Sequence, residues 1–276
     1  MSDNFNNSPI GVFDSGVGGL TVAREILRQY SNESIVYFGD TARVPYGSKS
    51  RDTIIRYSKQ IINFLKTKNV KAIVVACNTA SAYALDAVED ELDIPIIGVV
   101  KPGAKVAAKT TKNGRVGIIG TEGTINSGLY TKIIHGIDEN ITVYGKACPL
   151  FAPLVEEGML KDHITDEVAK RYLEEIKKEN VDSLILGCTH YPLLRDTIGN
   201  IMGDKVNLVN PAYETAVSLG MLMDELGIQA SSDNEAVYEF YVSDAAEKFK
   251  KFANSILPLD IEKIQQIDIE EYSTVL

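Results

Sequence analysis

Short, near-continuous apolar runs alternate with longer stretches of helical period along almost the whole chain. The apolar runs predict strands at Ile10–Asp14, Ser34–Gly39, Ala72–Ala76, Ile94–Val99, Arg115–Gly120, Ile141–Tyr144, Ser183–Gly187, Val206–Val209 and Glu239–Val242. Between them the spacing predicts helices, including Leu20–Gln29, Asp52–Lys66, Ser81–Glu91, Ser127–Ile137, Asp166–Glu179, Tyr213–Leu226 and Ala245–Ile256. Runs that are apolar throughout, rather than alternating, mark parallel strands covered by helices on both faces. The fold class read from this pattern is α/β.

The pattern also repeats. Val70 to Thr79 is an apolar run closing on Ala76-Cys77-Asn78-Thr79, and Val181 to His190 is another closing on Gly187-Cys188-Thr189-His190. Each half opens with a strand that ends in a small and polar loop, Phe13-Asp14-Ser15-Gly16 in one and Ile119-Gly120-Thr121-Glu122 in the other. The simplest arrangement is two pseudo-symmetric open parallel-sheet domains with the active site in the cleft between them. We expect residues 1–98 with 210–276 in the first and residues 99–209 in the second, with Val99–Gly103 and Asn207–Ala212 as the crossovers. Open α/β sheets build their sites at the carboxyl ends of strands, which is where both cysteines fall.

Composition narrows the classes of function. The chain has 276 residues, 45% of them hydrophobic, enough to bury a sizeable core. Its net charge of −10 argues against a nucleic-acid partner, which needs a clustered basic surface. No apolar stretch approaches the roughly 18 residues of a membrane span. Met1 to Pro9 is polar and has no secretory pattern, so the expected location is the cytoplasm, where the three cysteines stay reduced.

A free cysteine is most often a small buried hydrophobe. Here two of them sit at strand ends followed at once by hydrogen-bonding residues, a setting that lowers a thiol's pKa from about 8.5 toward neutrality. Metal binding explains them less well, since Cys-x-His occurs once and His135 and His163 have no ligand spacing. Cys148 has no polar cluster behind it and reads as structural. Gly16-Val17-Gly18-Gly19 fits a dinucleotide loop only in part, because Thr21 stands where a third glycine or alanine belongs. An anion loop with free N–H groups fits better, with a tight turn as the plain alternative. Asp14 and Asp40 each end a strand; the first reads as functional, the second equally as loop support or a cap. Pro45-Tyr46-Gly47-Ser48 reads as a turn, and Glu156-Glu157 as a solvated helix end.

Four blocks in order then carry a resemblance over nearly the whole length: Phe13-Asp14-Ser15-Gly16-Val17-Gly18-Gly19-Leu20, Arg43-Val44-Pro45-Tyr46-Gly47, Ala76-Cys77-Asn78-Thr79-Ala80-Ser81 and Gly187-Cys188-Thr189-His190-Tyr191-Pro192-Leu193. The chain resembles the glutamate racemase branch of the aspartate/glutamate racemase superfamily. The resemblance implies a cofactor-independent isomerase with a small-molecule substrate, glutamate, serving peptidoglycan synthesis and so cell-wall biogenesis and cell shape. It implies that Cys77 takes the α-proton of the D-enantiomer and Cys188 that of the L-enantiomer, with Asp14 assisting Cys77, and Glu156 and His190 assisting Cys188. It further implies that Asp14, Ser15, Pro45, Tyr46, Gly47, Asn78, Thr79, Thr121, Thr189 and His190 hold the substrate. Enzymes of this type are often dimers, so a homodimer is an expected assembly. The chain departs from many relatives at Asn210-Pro211-Ala212, which bears on the shape of the cleft. Two other readings remain: a racemase for aspartate or another amino acid, and a non-enzymatic dicarboxylate-binding module.

Overall fold

The computed structural model describes residues 6–276, and its ten strands form two sheets. In chain order they are β1 (Ile10–Asp14), β2 (Ile35–Gly39), β3 (Ala72–Val75), β4 (Ile96–Gly98), β5 (Arg115–Gly120), β6 (Thr142–Ala147), β7 (Ser183–Gly187), β8 (Asn207–Val209), β9 (Tyr238–Val242) and β10 (Gln265–Gln266). One sheet runs β10-β9-β2-β1-β3-β4, the other β6-β5-β7-β8, and every pairing is parallel. The order β2-β1-β3-β4 is thus built a second time as β6-β5-β7-β8. The two extra strands, β9 and β10, extend the first sheet after the chain has left the second.

Strand period divides each core in two. Val12 and Val74 point to one side of the first sheet, against helices Leu20–Gln29, Pro211–Leu226 and Ala246–Ile256. Phe13, Ile73 and Val75 point to the other side, against helix Arg51–Thr67. In the second sheet Ile119, Leu184 and Leu186 face one layer, while Val116, Ile118 and Ile185 face the other. Helix Pro211–Leu226 packs on both Leu20–Gln29 and Val100–Thr110, so it spans the junction of the two sheets.

Several elements differ from the sequence expectations. Val99–Gly103, expected to be a crossover, begins the helix Val100–Thr110; Pro102 fits because it lies in the first turn, where a missing N–H costs no bond. The helix expected at Ser81–Glu91 starts earlier, at Asn78, and breaks into Asn78–Tyr83, Leu85–Val88 and a 3₁₀ turn at Glu89–Glu91. Its early start follows from Cys77, whose sulfur accepts the Ala80 N–H as a cap. Among the described residues no helix is long and apolar enough to cross a membrane.

Candidate active site

Both cysteines lie one residue or two past the carboxyl ends of buried strands, Cys77 after β3 and Cys188 after β7. Both line one cavity of about 230 Å³, below the roughly 300 Å³ at which pockets for drug-sized ligands begin. Ser15, Pro45, Tyr46, Gly47, Asn78 and Thr79 line it from the first sheet. Thr121, Glu156, Thr189 and His190 line it from the second. Val44, Ala152, Pro153 and Glu157 also reach the cavity, and the sequence reading singled out none of them for this role. Ala152 and Pro153 lie in an apolar run that carried no chemical signal; only their place on the cavity wall gives them one. Two larger surface clefts of about 680 Å³ lie elsewhere and contain no cysteine.

Asp14 does not line the cavity. It is fully buried beneath it, and its carboxylate collects the N–H groups of Ser15, Gly16 and Gly19. The glycine loop is therefore an anion loop whose anion is Asp14 itself, which corrects the expectation that its N–H groups are free for a ligand. The tight-turn alternative also fails, since none of Gly16, Gly18 and Gly19 has a positive φ. Close approach is what demands glycine. A Cβ on Gly18 would stand 2.3 Å from Thr189 Oγ1 and 2.6 Å from the His190 ring. One on Gly19 would stand 2.4 Å from Asp14 Cβ.

The two halves meet at this loop. Thr21 Oγ1 donates to the Thr189 carbonyl at 2.9 Å, and Thr189 Oγ1 donates to Asp14 Oδ1 at 3.5 Å. Thr79 Oγ1 lies 2.9 Å from Thr121 Oγ1 across the cavity. Behind Cys188 a narrow seam is lined by Asn78, Val99, Pro211 and Ala212. The Asn210-Pro211-Ala212 departure, remote from the cysteines in sequence, is thus beside one of them in space.

Asp40 and Tyr46 take different parts from those their positions suggest. The Tyr46 hydroxyl donates to the Asp40 carboxylate, which also accepts from Arg43 Nε at 2.7 Å and from Ser243 Oγ at 2.9 Å. Asp40 is loop support: it pins the Arg43–Gly47 turn, and Tyr46 offers the cavity its ring and backbone rather than its hydroxyl. Cys148 is a buried free thiol whose carbonyl accepts from Tyr191 Oη at 2.7 Å, outside the cavity.

The two thiols have unlike surroundings. Cys77 Sγ donates to Ser15 Oγ at 3.7 Å and accepts from the Ala80 N–H at 3.5 Å. Burial, followed by the Asp14 charge, pushes this thiol up to about 12. That reverses the general expectation of a thiol near neutrality: the hydrogen bonds with the helix-start N–H of Ala80 and with Ser15 lower the pKa by less than burial raises it. Cys188 Sγ instead lies 3.6 Å from His190 Nδ1, whose Nε2 is 3.0 Å from Glu156 Oε1. Burial works against a charged imidazole here, yet the hydrogen bonds to Cys188 and Glu156 outweigh it and raise His190 to about 10. Glu156 is held below its usual range, chiefly by the His190 hydrogen bond. Asp14 is raised by burial, which the His190 charge and the loop N–H groups only partly offset. At neutral pH the site thus holds a neutral Cys77 thiol on one side and an imidazolium–carboxylate pair beside the Cys188 sulfur on the other.

Residues 10–219 match the family described as Asp/Glu/Hydantoin racemase. The chain is similar to the glutamate racemase of Geobacter metallireducens, with 46% identity over 95% of this chain and 97% of that one. Among solved structures, a glutamate racemase isoform of Bacillus anthracis superposes with a TM-score of 0.92 at 42% identity, covering 95% of this chain and 98% of that one. The glutamate racemase of Francisella tularensis, solved with D-glutamate, gives 0.90 at 40% identity, covering 96% and 99%.

The charge on His190 ties stability to pH. Its folded pKa is raised from 6.5 to about 10, so the folded chain holds this proton more tightly than the unfolded one. That contribution is complete below about pH 6.5 and is lost as pH rises through about 10. Urea midpoints across this window should fall more steeply for the native chain than for His190→Asn. Equal slopes would show that His190 carries no such proton.

Proposed function

The chain belongs to the Asp/Glu/hydantoin racemase family, and from that membership we propose that it interconverts L- and D-glutamate by exchanging the α-proton between Cys77 and Cys188, with no cofactor. The observation that carries the proposal is the pair of thiols, on strand ends that the topology repeats, lining one small cavity. Each comes from one half, Cys77 from residues 1–98 with 210–276 and Cys188 from residues 99–209. Glutamate as the substrate is supported by the full-length relatives and by the D-glutamate held in the Francisella tularensis enzyme.

An amino-acid α-proton is very weakly acidic, so its removal needs a strong base on one face and a proton donor on the other. In the L-to-D direction the Cys188 thiolate takes the α-proton, and the Cys77 thiol delivers its own to the opposite face. The C–H bond broken on one side is replaced by one formed on the other, and Cys77 is left as the thiolate. In the D-to-L direction the roles exchange. His190, charged and oriented by Glu156, supplies the counter-ion and proton partner for Cys188. Asp14 sits behind Cys77, where a substrate ammonium offsets the carboxylate field that keeps that thiol protonated. Ser15, Asn78, Thr79, Thr121, Thr189 and the Pro45-Tyr46-Gly47 backbone hold the substrate and stabilise the charge that develops at Cα. The D-glutamate formed serves peptidoglycan synthesis in the cytoplasm, and through it cell-wall biogenesis.

Incubated with D-glutamate in D₂O without added cofactor, the purified protein should lose the substrate's circular dichroism and place deuterium at Cα. Cys77→Ser and Cys188→Ser should each lower racemisation by at least about 10²-fold, because a serine hydroxyl is a far weaker acid and base than a thiol. Full activity in both variants would overturn the two-thiol mechanism, and glutamate binding without exchange would identify a binding module. Aspartate run in parallel decides the substrate.

Gly18 gives a second measure. Gly18→Ala places its Cβ where Thr189 and His190 now lie, and the displaced relay should cost about 10–100-fold in turnover. Far-UV circular dichroism should remain native. Native turnover in this variant would mean that the approach of the loop to His190 does not matter to the chemistry.

A further inference from the structure

Tyr130 lies at the start of helix Leu129–Ile137, which belongs to the second half, and its side chain is buried. Its ring lies beside Gly187 and Gly103. A Cβ on Gly187, the residue before Cys188, would stand 3.5 Å from Tyr130 Cε2, and one on Gly103 would stand 3.6 Å from Cε1. The hydroxyl then reaches the first half and donates to Asn78 Oδ1 at 2.7 Å. Asn78 is the residue after Cys77. One tyrosine therefore touches the backbone that carries one thiol and the side chain beside the other.

We propose that Tyr130 is a positioning residue: its hydroxyl fixes the Asn78 amide with the oxygen turned away from the cavity and the NH₂ turned toward it, as a donor to a substrate carboxylate. The proposal rests on the reading of this cavity as an amino-acid site and adds the group that sets its polarity.

An asparagine amide is ambivalent, since it presents an acceptor in one orientation and two donors in the other. Nothing in its own geometry chooses between them. Tyr130 does choose, because among the described residues its hydroxyl makes no other hydrogen bond. If the amide were flipped, its NH₂ would donate to the phenol oxygen instead, and the buried phenol proton would be left without an acceptor. Burial and the nearby Cys188 also raise the phenol well above its usual range, so it keeps the proton that Asn78 Oδ1 accepts. The Asn78 Nδ2 group makes no hydrogen bond to the described residues, while Asn78 lines the cavity. The NH₂ is thus the free end. A flipped amide would point its carbonyl oxygen at the substrate carboxylate and repel it.

Tyr130→Phe keeps the ring against Gly187 and Gly103 and removes only the hydroxyl. It should raise KM for glutamate by about tenfold, the worth of one hydrogen bond to a charged group, with kcat changed by less than about threefold. In an Asn78→Ala background the same substitution should change KM by less than about twofold, because the amide it orients is gone. An unchanged KM in Tyr130→Phe, or an equal rise in both backgrounds, would overturn the proposal. The side-chain amide resonances of Asn78, identified by their loss in Asn78→Ala, give a readout independent of catalysis. Glutamate should shift them in the native chain and shift them less in Tyr130→Phe. If glutamate shifts them but is not racemised, the catalytic reading fails while the positioning role stands. If the shift is the same with and without the hydroxyl, the positioning role fails while the catalytic reading stands.

Discussion

The approach of the Gly18 backbone to Thr189 and His190 is the contact on which the rest of the site depends. Two parallel sheets each present their strand ends, with small and polar residues, but separately they offer two shallow edges. They become one cavity only because the β1 loop carries no side chain where the second half comes closest. The contact is then secured by hydrogen bonds rather than by apolar packing alone, Thr21 to the Thr189 carbonyl and Thr189 to Asp14. Asp14 is saturated by loop N–H groups before any ligand arrives, so the loop's shape does not depend on substrate. Such preorganisation lets the donors at a site meet developing charge without rearrangement.

The repeat in topology does not extend to the electrostatics. Cys77 is backed by a buried carboxylate and is neutral, whereas Cys188 is backed by an imidazole that a second carboxylate keeps charged. A reaction whose substrate and product are mirror images asks for a base on each face, but the two faces are not themselves mirror images. A proton that leaves one face of Cα and arrives on the other meets a different sulfur environment on each side. The Tyr130 hydroxyl, crossing from the second half to Asn78 in the first, belongs to the same division of labour.

Much of this was legible in the sequence, and what was not has a common cause. Continuous apolar runs located nine of the ten strands, because a strand buried on both faces leaves no polar residue to blur the pattern. β10 is two glutamines and has no such signal. The matched ends of β3 and β7 placed both cysteines at strand termini, and the family resemblance supplied Glu156, whose own neighbourhood reads only as a helix end. Contacts between residues far apart in the chain were hidden. Nothing near Asp40 announces Arg43 and Ser243 together, and nothing near Gly18 announces His190. The thiol pKa was hidden for the same reason: the local rule about helix starts is right in sign, but burial by distant residues outweighs it at Cys77.

That high pKa has a consequence for the direction of the reaction. A base must be strong to take a proton as weakly acidic as an amino-acid Cα–H, and a thiolate whose conjugate acid titrates near 12 is stronger than one poised near neutrality. The cost is population, since a thiol pushed that far up is almost wholly protonated at pH 7. Cys77 therefore rests as an acid and becomes a base only by giving up its proton. In the proposed L-to-D direction it would do so as part of the reaction itself, when it protonates the carbanion. In the proposed D-to-L direction the thiolate has to be present first. It is either left by a preceding L-to-D turnover or formed by loss of the proton to solvent, which a substrate ammonium offsetting Asp14 would favour. The two proposed half-reactions share one cavity and one pair of sulfurs, yet only one of them uses Cys77 in the protonated form in which it rests.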